Sequence, residues 1–326
     1  MIELIRQFPD QIEGSFSLDI PHIEPKRGKI YICGMGGSAA SGDILKAIVP
    51  DVPIEVVRDY YLPSFLGEED AVIAVSYSGN TEETLSAYAQ AIEKRVAALV
   101  VASGGKLLEA ARADGVPYVV IPGGLPPRCA LGWLMSPMIL ALSRAGMIPS
   151  QLEDELRAAP DLLRGHLPGL EGPSSPTLEL ANKFYNRLPF IYASRRFYPV
   201  AFRWCAQINE NAKSIAHAAA LPEMNHNEVS GIVHPKDFVE GIWVVFLRFP
   251  EDYERTSARA DITSELIRDS VMGITHLRPE GSCTLHRVLW CLLFGDMLSY
   301  YLALAYKADP FAIPRIDVLK ERLGKL

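Results

Sequence analysis

The chain has 326 residues, enough for two domains of ordinary size whose cores need no disulfide staples. Apolar residues make up 49% and charged residues 22%, with 24 glycines and 24 prolines punctuating the chain, a composition that excludes the disordered, collagen-like and coiled-coil classes. The net charge of −7 gives no global attraction to nucleic acid or to an anionic membrane surface, so an anionic ligand has to be held by local donors.

The N-terminal segment MIELIR lacks the basic region and long apolar stretch of a signal peptide, and uninterrupted apolar runs such as 242–247 fall far short of the ~20 residues that span a bilayer. Residues 29–33 form a short apolar strand that ends in GMGGS (34–38), and an Ala-rich helix follows to about residue 48. Strands at 54–57 and 71–76 come next, the latter closing on YSGNT (77–81) ahead of a periodic helix over 82–94. Strands 97–102 and 117–121 flank a helix at 106–113, and a further helix covers 126–145. Continuous apolar strands alternating with helices predict a doubly wound parallel sheet covered on both faces.

The stretch 158–177 carries Pro160, Gly165, Pro168, Gly169, Gly172, Pro173 and Pro176, a density that suits neither element and predicts a boundary between domains 1–155 and 156–326. The second half repeats the alternation: strand 190–193, helix 198–217, strand 241–248, helix 252–270, strand 273–277 and a long apolar helix over 285–305. The five cysteines (33, 129, 205, 283 and 291) form no C-x-x-C pair, which argues against a disulfide framework or a thiolate zinc site and predicts a cytoplasmic address.

Two βα turns carry the candidate chemistry. Gly34-x-Gly36-x-x-Ala39 satisfies the relaxed dinucleotide fingerprint, with Glu55 about where a ribose-binding acid would follow, although Glu55 falls early in its strand; a tight structural turn is nearly as good a reading. The second turn, Ser76 to Thr84, puts Ser76, Ser78 and Thr81 within six residues. A phosphomonoester is a compact dianion, and helix N-termini with Ser and Thr hydroxyls satisfy it without a buried cation, so Ser38 and the second turn together predict a phosphate site. Thr81 also reads as a simple N-cap, and the two readings are compatible.

These turns, with Pro127-Arg128, NENAK (209–213), LPEMNHN (221–227) and PRIDVLK (314–320), are spread over nearly the whole chain, and in them the sequence resembles the sugar isomerase (SIS) fold and, more narrowly, the bifunctional phosphoglucose/phosphomannose isomerases. The resemblance implies two α/β SIS domains, each a parallel five-stranded sheet flanked by helices, in a homodimer with its active site at the subunit interface. It implies a small-molecule sugar phosphate as substrate, and no metal or organic cofactor. The phosphate loop falls on Gly37, Ser38, Ser76, Ser78 and Thr81, and the catalytic groups on Arg128, Glu210, His226 and Lys320. In that scheme His226 and Lys320 assist ring opening, Glu210 shuttles the carbon-bound proton and Arg128 stabilises the enediolate.

Each group also has a plainer reading. Glu210 and Lys213 are spaced for an i,i+3 ion pair on a helix, although Asn209 and Asn211 are poor helix formers. His226 reads as a loop or capping residue, Arg128 as a cation near a helix start, and Lys320 as part of a solvated face. Two positions depart from the family pattern. Ile313 stands where a Thr is usual, and an apolar branch cannot donate a hydrogen bond, so the mannose activity is less supported than the glucose activity. Asn225 departs from a pattern in which a second His precedes the catalytic one. A non-catalytic phosphosugar-binding regulator and a nicotinamide oxidoreductase are the competing classes.

Overall fold

A computed structural model describes residues 1–325. In chain order the elements are α1 (Ile2–Arg6), α2 (Phe8–Ser15), β1 (Ile30–Cys33), α3 (Gly36–Ile48), β2 (Ile54–Val57), β3 (Ala71–Ser76), α4 (Glu82–Glu93), β4 (Ala97–Ala102), α5 (Gly105–Asp114), β5 (Tyr118–Val120), α6 (Leu131–Arg144), α7 (Gln151–Leu170), α8 (Pro176–Phe184), β6 (Leu188–Ser194), α9 (Tyr198–Gln207), β7 (His217–Leu221), α10 (Glu228–Gly231), α11 (Lys236–Val239), β8 (Ile242–Leu247), α12 (Glu254–Ile267), β9 (Gly273–Leu277), α13 (Thr284–Ala305) and α14 (Pro314–Leu323). They divide into two compact units. One holds Arg6–His166 and Glu280–Trp290; the other holds Met1–Ile5, Leu167–Pro279 and the chain from Cys291.

The first unit is built on an all-parallel sheet of order β2-β1-β3-β4-β5. Its central strand β3 is buried at all six positions, which is why AVIAVS reads as a continuous apolar run with no alternation. The strand order reverses between β1 and β3. Right-handed crossovers therefore place α3 and α4 on opposite faces, and the carboxyl ends of β1 and β3 frame a crevice.

The second unit has a parallel sheet of order β7-β6-β8-β9, four strands where the family resemblance implies five. Tyr192, Val244 and Phe246 on one face pack with Met224, Ala260 and Ile267, so the segment after β7 and the helix α12 cover the same side. Because β6-α9-β7 and β8-α12-β9 wind in opposite directions from the sheet centre, α9 covers the other side.

Two local expectations are corrected. The proline-rich stretch 158–177 is mostly helix: α7 runs through Pro160, Gly165, Pro168 and Gly169. A proline inside a helix costs about 3 kcal/mol. Leu152, Leu156, Ala159 and Leu163 form a buried stripe at helical spacing, and that burial outweighs the local penalty. The break is confined to residues 171–175, where Ser175 Oγ accepts from the Leu178 N–H and Pro176 opens α8. The helix expected over 198–217 stops at Gln207, passes through one π-helical turn at Ile208–Ala212, and gives way to the strand β7. An edge strand of sequence HAAAL has little intrinsic β preference, and its pairing with β6 specifies it. Finally, α13 is long and apolar enough to span a membrane, with 72% of its apolar window buried inside the fold as in a core helix.

Candidate active site

The crevice of the first unit receives two helix N-termini. Helix α3 begins at Gly36, so Gly37 and Ser38 lie in its first turn, and its N-cap position, Met35, supplies no side-chain bond. Helix α4 begins at Glu82 with Thr81 in the N-cap position in extended conformation, but the Thr81 hydroxyl does not cap the helix. It pairs with Ser76 Oγ at 3.0 Å instead. The plainer reading of Thr81 is thus right about position and wrong about the bond. Two helices of 13 and 12 residues present N-terminal N–H groups, uncapped by side chains, around the crevice, which is the geometry that binds an anion.

The two turns are physically joined. The Tyr77 N–H donates to Ser38 Oγ at 3.2 Å, and the Gly79 N–H donates to Ser76 Oγ at 3.1 Å. Ser38 and Ser76 are buried beneath the turn, Thr81 is half-buried and Ser78 is exposed on its rim. Gly79 adopts a φ of +68°, and a Cβ there would lie 1.8 Å from the Gly104 carbonyl oxygen, so only glycine lets the two loops approach this closely. Asn80 fastens the turn to the next loop: its Oδ1 accepts from the Lys106 N–H at 3.1 Å and its Nδ2 donates to Ser78 O at 3.1 Å. This positioning role was not assigned to Asn80 from sequence, because its partner lies beyond the intervening helix and strand.

Arg128 belongs to the same unit. It sits in a short 3-10 turn, Pro127–Cys129, and is 5% exposed. A Cβ on Gly37 would meet the Pro127 carbonyl oxygen at 3.0 Å and lie 3.7 Å from Arg128 Cα, so the backbone bearing Arg128 packs directly on the first turn of α3. The unit therefore collects Gly37, Ser38, Ser76, Ser78 and Thr81 at one crevice, with the backbone of Arg128 packed beside its first turn. The dinucleotide reading, in contrast, loses its acid. Glu55 is the second residue of β2, opposite Tyr31, with its carboxylate 3.6 Å from Lys29 Nζ, while the carboxyl end of β2 leads to Arg58, which is paired with Asp43.

The second unit carries the other three candidates. Glu210 lies in the π turn after α9 and is half-buried. The expected Glu210–Lys213 spacing does not fall on a regular helix face: Lys213 follows the π turn with a left-handed backbone (φ 55°), and its ammonium donates to the carbonyl oxygens of Glu210 at 2.8 Å, Asn211 at 3.3 Å and Asp309. Behind the turn, Asp296 of α13 is mostly buried and accepts from Arg203 at 3.2 Å and Gln207 at 2.7 Å. Burial pushes the Asp296 carboxyl above the usual range, opposed by the Arg203 guanidinium and the Gln207 amide.

His226 closes a 3-10 turn, Glu223–His226, after β7 and is exposed. Asn225, the departure from the family pattern, donates to Thr263 Oγ1 of α12 at 2.7 Å and so ties this segment down. Nearby, Glu228 accepts from Tyr192 Oη at 2.6 Å and lies 3.0 Å from His217 Nε2. Burial raises the Glu228 carboxyl, but the bonds from His217 and Tyr192 outweigh it and hold the group below the usual range. Lys320 is exposed on α14, a helix with no buried residue, and Ile313 is its N-cap residue. Among the described residues no group of three His, Cys, Asp or Glu side chains is arranged to hold a metal ion.

Comparison with known proteins places this arrangement. The family described as bacterial phospho-glucose isomerase C-terminal SIS domain matches residues 174–323. Over 337 aligned residues the chain is 36% identical to a bifunctional phosphoglucose/phosphomannose isomerase of Caldicellulosiruptor bescii, covering 100% of this chain and 99% of that one. The chain belongs to the bifunctional phosphoglucose/phosphomannose isomerase family. A relative of the same description from Aquifex aeolicus is 36% identical over 93% of this chain and 92% of its own. Among solved structures, the C-terminal domain of a glucosamine-fructose-6-phosphate aminotransferase from Francisella tularensis superposes with a TM-score of 0.75 over 95% of this chain and 97% of its own, and at 15% identity that likeness speaks for the fold.

Proposed function

We propose that this family member is a metal-independent aldose–ketose isomerase that interconverts glucose 6-phosphate and fructose 6-phosphate, takes mannose 6-phosphate as a second substrate, and works as a cytoplasmic homodimer. The observation that carries the reading is the crevice between β1 and β3, where two helix N-termini, the hydroxyls of Ser38, Ser76, Ser78 and Thr81 and the buried Arg128 suit a phosphorylated sugar. Backbone N–H groups and hydroxyls hold the phosphate. Arg128 stabilises negative charge as it develops on the enediolate oxygens, where a fixed cation acts without reorganising.

Glu210 takes the proton from C2 of the open-chain aldose and returns it to C1 while the O2 hydroxyl proton passes to O1, and in the reverse direction both protons move back. His226 and Lys320 serve ring opening: one takes a proton from the anomeric hydroxyl while the other gives one to the ring oxygen. The placement of Glu210 and His226 favours a shared site between two copies. Glu210 precedes the edge strand β7 on the α9 side of the sheet, whereas His226 follows β7 in the segment packed with α12 on the other side. One copy of the sheet thus separates the two groups, and the histidine of a second copy completes the set. The exposed apolar residues Ile316, Leu319 and Leu323, one stripe of α14 beside Lys320, fit a surface that another copy covers.

The test is a coupled assay of the purified protein with fructose 6-phosphate, reading glucose 6-phosphate and mannose 6-phosphate separately, with and without chelator. Turnover unchanged by chelator and abolished in Glu210→Gln, with fructose 6-phosphate binding retained, is the expected result. Binding with no turnover in the wild type would turn the reading toward a phosphosugar-binding regulator, and an undiminished Glu210→Gln would remove the carboxylate from the mechanism. With Ile313 unable to donate a hydrogen bond, the mannose activity is expected to be the slower of the two.

A further inference from the structure

Three polar side chains in and just after the π turn, Asn209, Asn211 and Lys213, fix the turn itself. Asn209 Oδ1 accepts from the Ala216 N–H at 3.3 Å, tying the turn to the start of β7. Asn211, with no exposed surface, donates through Nδ2 to Ser299 Oγ at 2.9 Å, and Ser299 in turn donates to the Asp296 carbonyl oxygen at 2.7 Å within α13. Lys213 gathers the carbonyl oxygens of Glu210, Asn211 and Asp309 with one ammonium. A lysine in the left-handed region costs about 1 kcal/mol that glycine would not, so its presence here calls for a compensating role of the side chain. A π turn is itself a rare insertion in a helix, and such turns concentrate at functional sites.

We infer that Lys213 and Asn211 are positioning residues for Glu210: the ammonium holds the Glu210 carbonyl, the amide anchors the next residue to α13, and together they fix the backbone that carries the carboxylate. This rests on the reading of Glu210 as the proton-transferring group. Neither residue is required to touch the sugar. Their loss acts on the alignment of the carboxylate with the carbon-bound proton, and a misplacement of about 1 Å costs up to roughly 100-fold in rate.

Lys213→Gly removes the side chain with its ammonium while relieving the left-handed backbone, and Lys213→Ala removes the ammonium while keeping a Cβ in that strained region. Both variants are expected to lose 10- to 100-fold in kcat, with the KM for fructose 6-phosphate within about threefold of wild type and far-UV ellipticity unchanged. Ser299→Ala takes away the acceptor of Asn211 by deleting one hydroxyl; it is expected to lose several-fold in kcat with the same KM, and it stands in should the Lys213 variants fail to fold. A wild-type kcat in Lys213→Gly, or a rise in KM with kcat unchanged, overturns the inference. Glu210→Gln runs in parallel: if it is inactive while Lys213→Gly is unaffected, only the positioning role falls, and if it turns over normally the catalytic reading of Glu210 falls and takes the positioning role with it.

Discussion

Gly79→Ala is the sharpest single test of the proposal that the crevice binds a phosphate. The residue holds φ +68°, and the added Cβ would sit 1.8 Å from the Gly104 carbonyl oxygen, against a limit of 3.0 Å for real Cβ contacts. The neighbour is backbone, and the Leu107 N–H of α5 donates to Gly79 O at 2.9 Å, so the two segments are held together by main chain and neither can yield by a side-chain rotation. The turn has to move by more than about 1 Å, which carries its N–H donors out of the 2.7–3.2 Å range of a good hydrogen bond. Hydrogen bonds to a charged group are worth about 1.5–3 kcal/mol each, so losing one or two weakens phosphosugar binding by roughly 2–4 kcal/mol, some 30- to 1,000-fold in Kd. The overpacking adds about 1–3 kcal/mol of destabilisation, which keeps the protein folded at 25 °C. Calorimetric titration with fructose 6-phosphate, alongside thermal unfolding of the unliganded protein, separates the two effects. A variant that binds the phosphosugar as tightly as wild type would refute the claim that this turn grips the phosphate.

Other consequences follow from the buried and paired charges. Asp296→Ala removes a carboxylate partner of Arg203, which is only 4% exposed, and is expected to destabilise the fold by about 3–5 kcal/mol in urea unfolding, whereas the double replacement Arg203→Met with Asp296→Leu recovers much of that loss; equal stabilities of the single and double variants would contradict it. The Asp261 carboxyl is held below its ordinary value by two bonds from the Arg248 guanidinium, at 2.6 and 3.1 Å. A depressed carboxyl contributes stability that is present above its unfolded value, near pH 3.8, and is lost as pH falls through the lower folded value. Asp261→Asn should therefore flatten the acid limb of the stability curve below about pH 4, and parallel curves for the two proteins would exclude the pair as a contributor.

Much of the candidate site was legible because its signals are local. GMGGS and YSGNT each combine glycine with hydroxyl residues at the end of an apolar strand, and the backbone chemistry of such a turn depends on a few consecutive residues. The π turn was legible only in part: Asn209 and Asn211 marked the segment as a poor helix, but the left-handed Lys213 and its carbonyl partners depend on Asp309, nearly a hundred residues later. Asn80, Arg203, Asp296 and Glu228 left no signal, since each acts through partners brought close by the fold. The strand β7 was missed for a related reason, because three alanines specify no strand until β6 lies beside them.

By itself the sequence determined the alternation of strand and helix, the two glycine- and hydroxyl-bearing turns at strand ends and the family to which the chain belongs, since periodicity, turn chemistry and motif order are properties of neighbours along the chain. The tertiary structure decided the rest. Burial of one stripe of α7 overrode its prolines, crossover direction put Glu210 and His226 on opposite faces of one sheet, and packing of the Pro127–Cys129 turn on Gly37 set the backbone of Arg128 beside the crevice. These outcomes turn on the free energy of contacts between residues far apart in the chain, which local sequence does not encode.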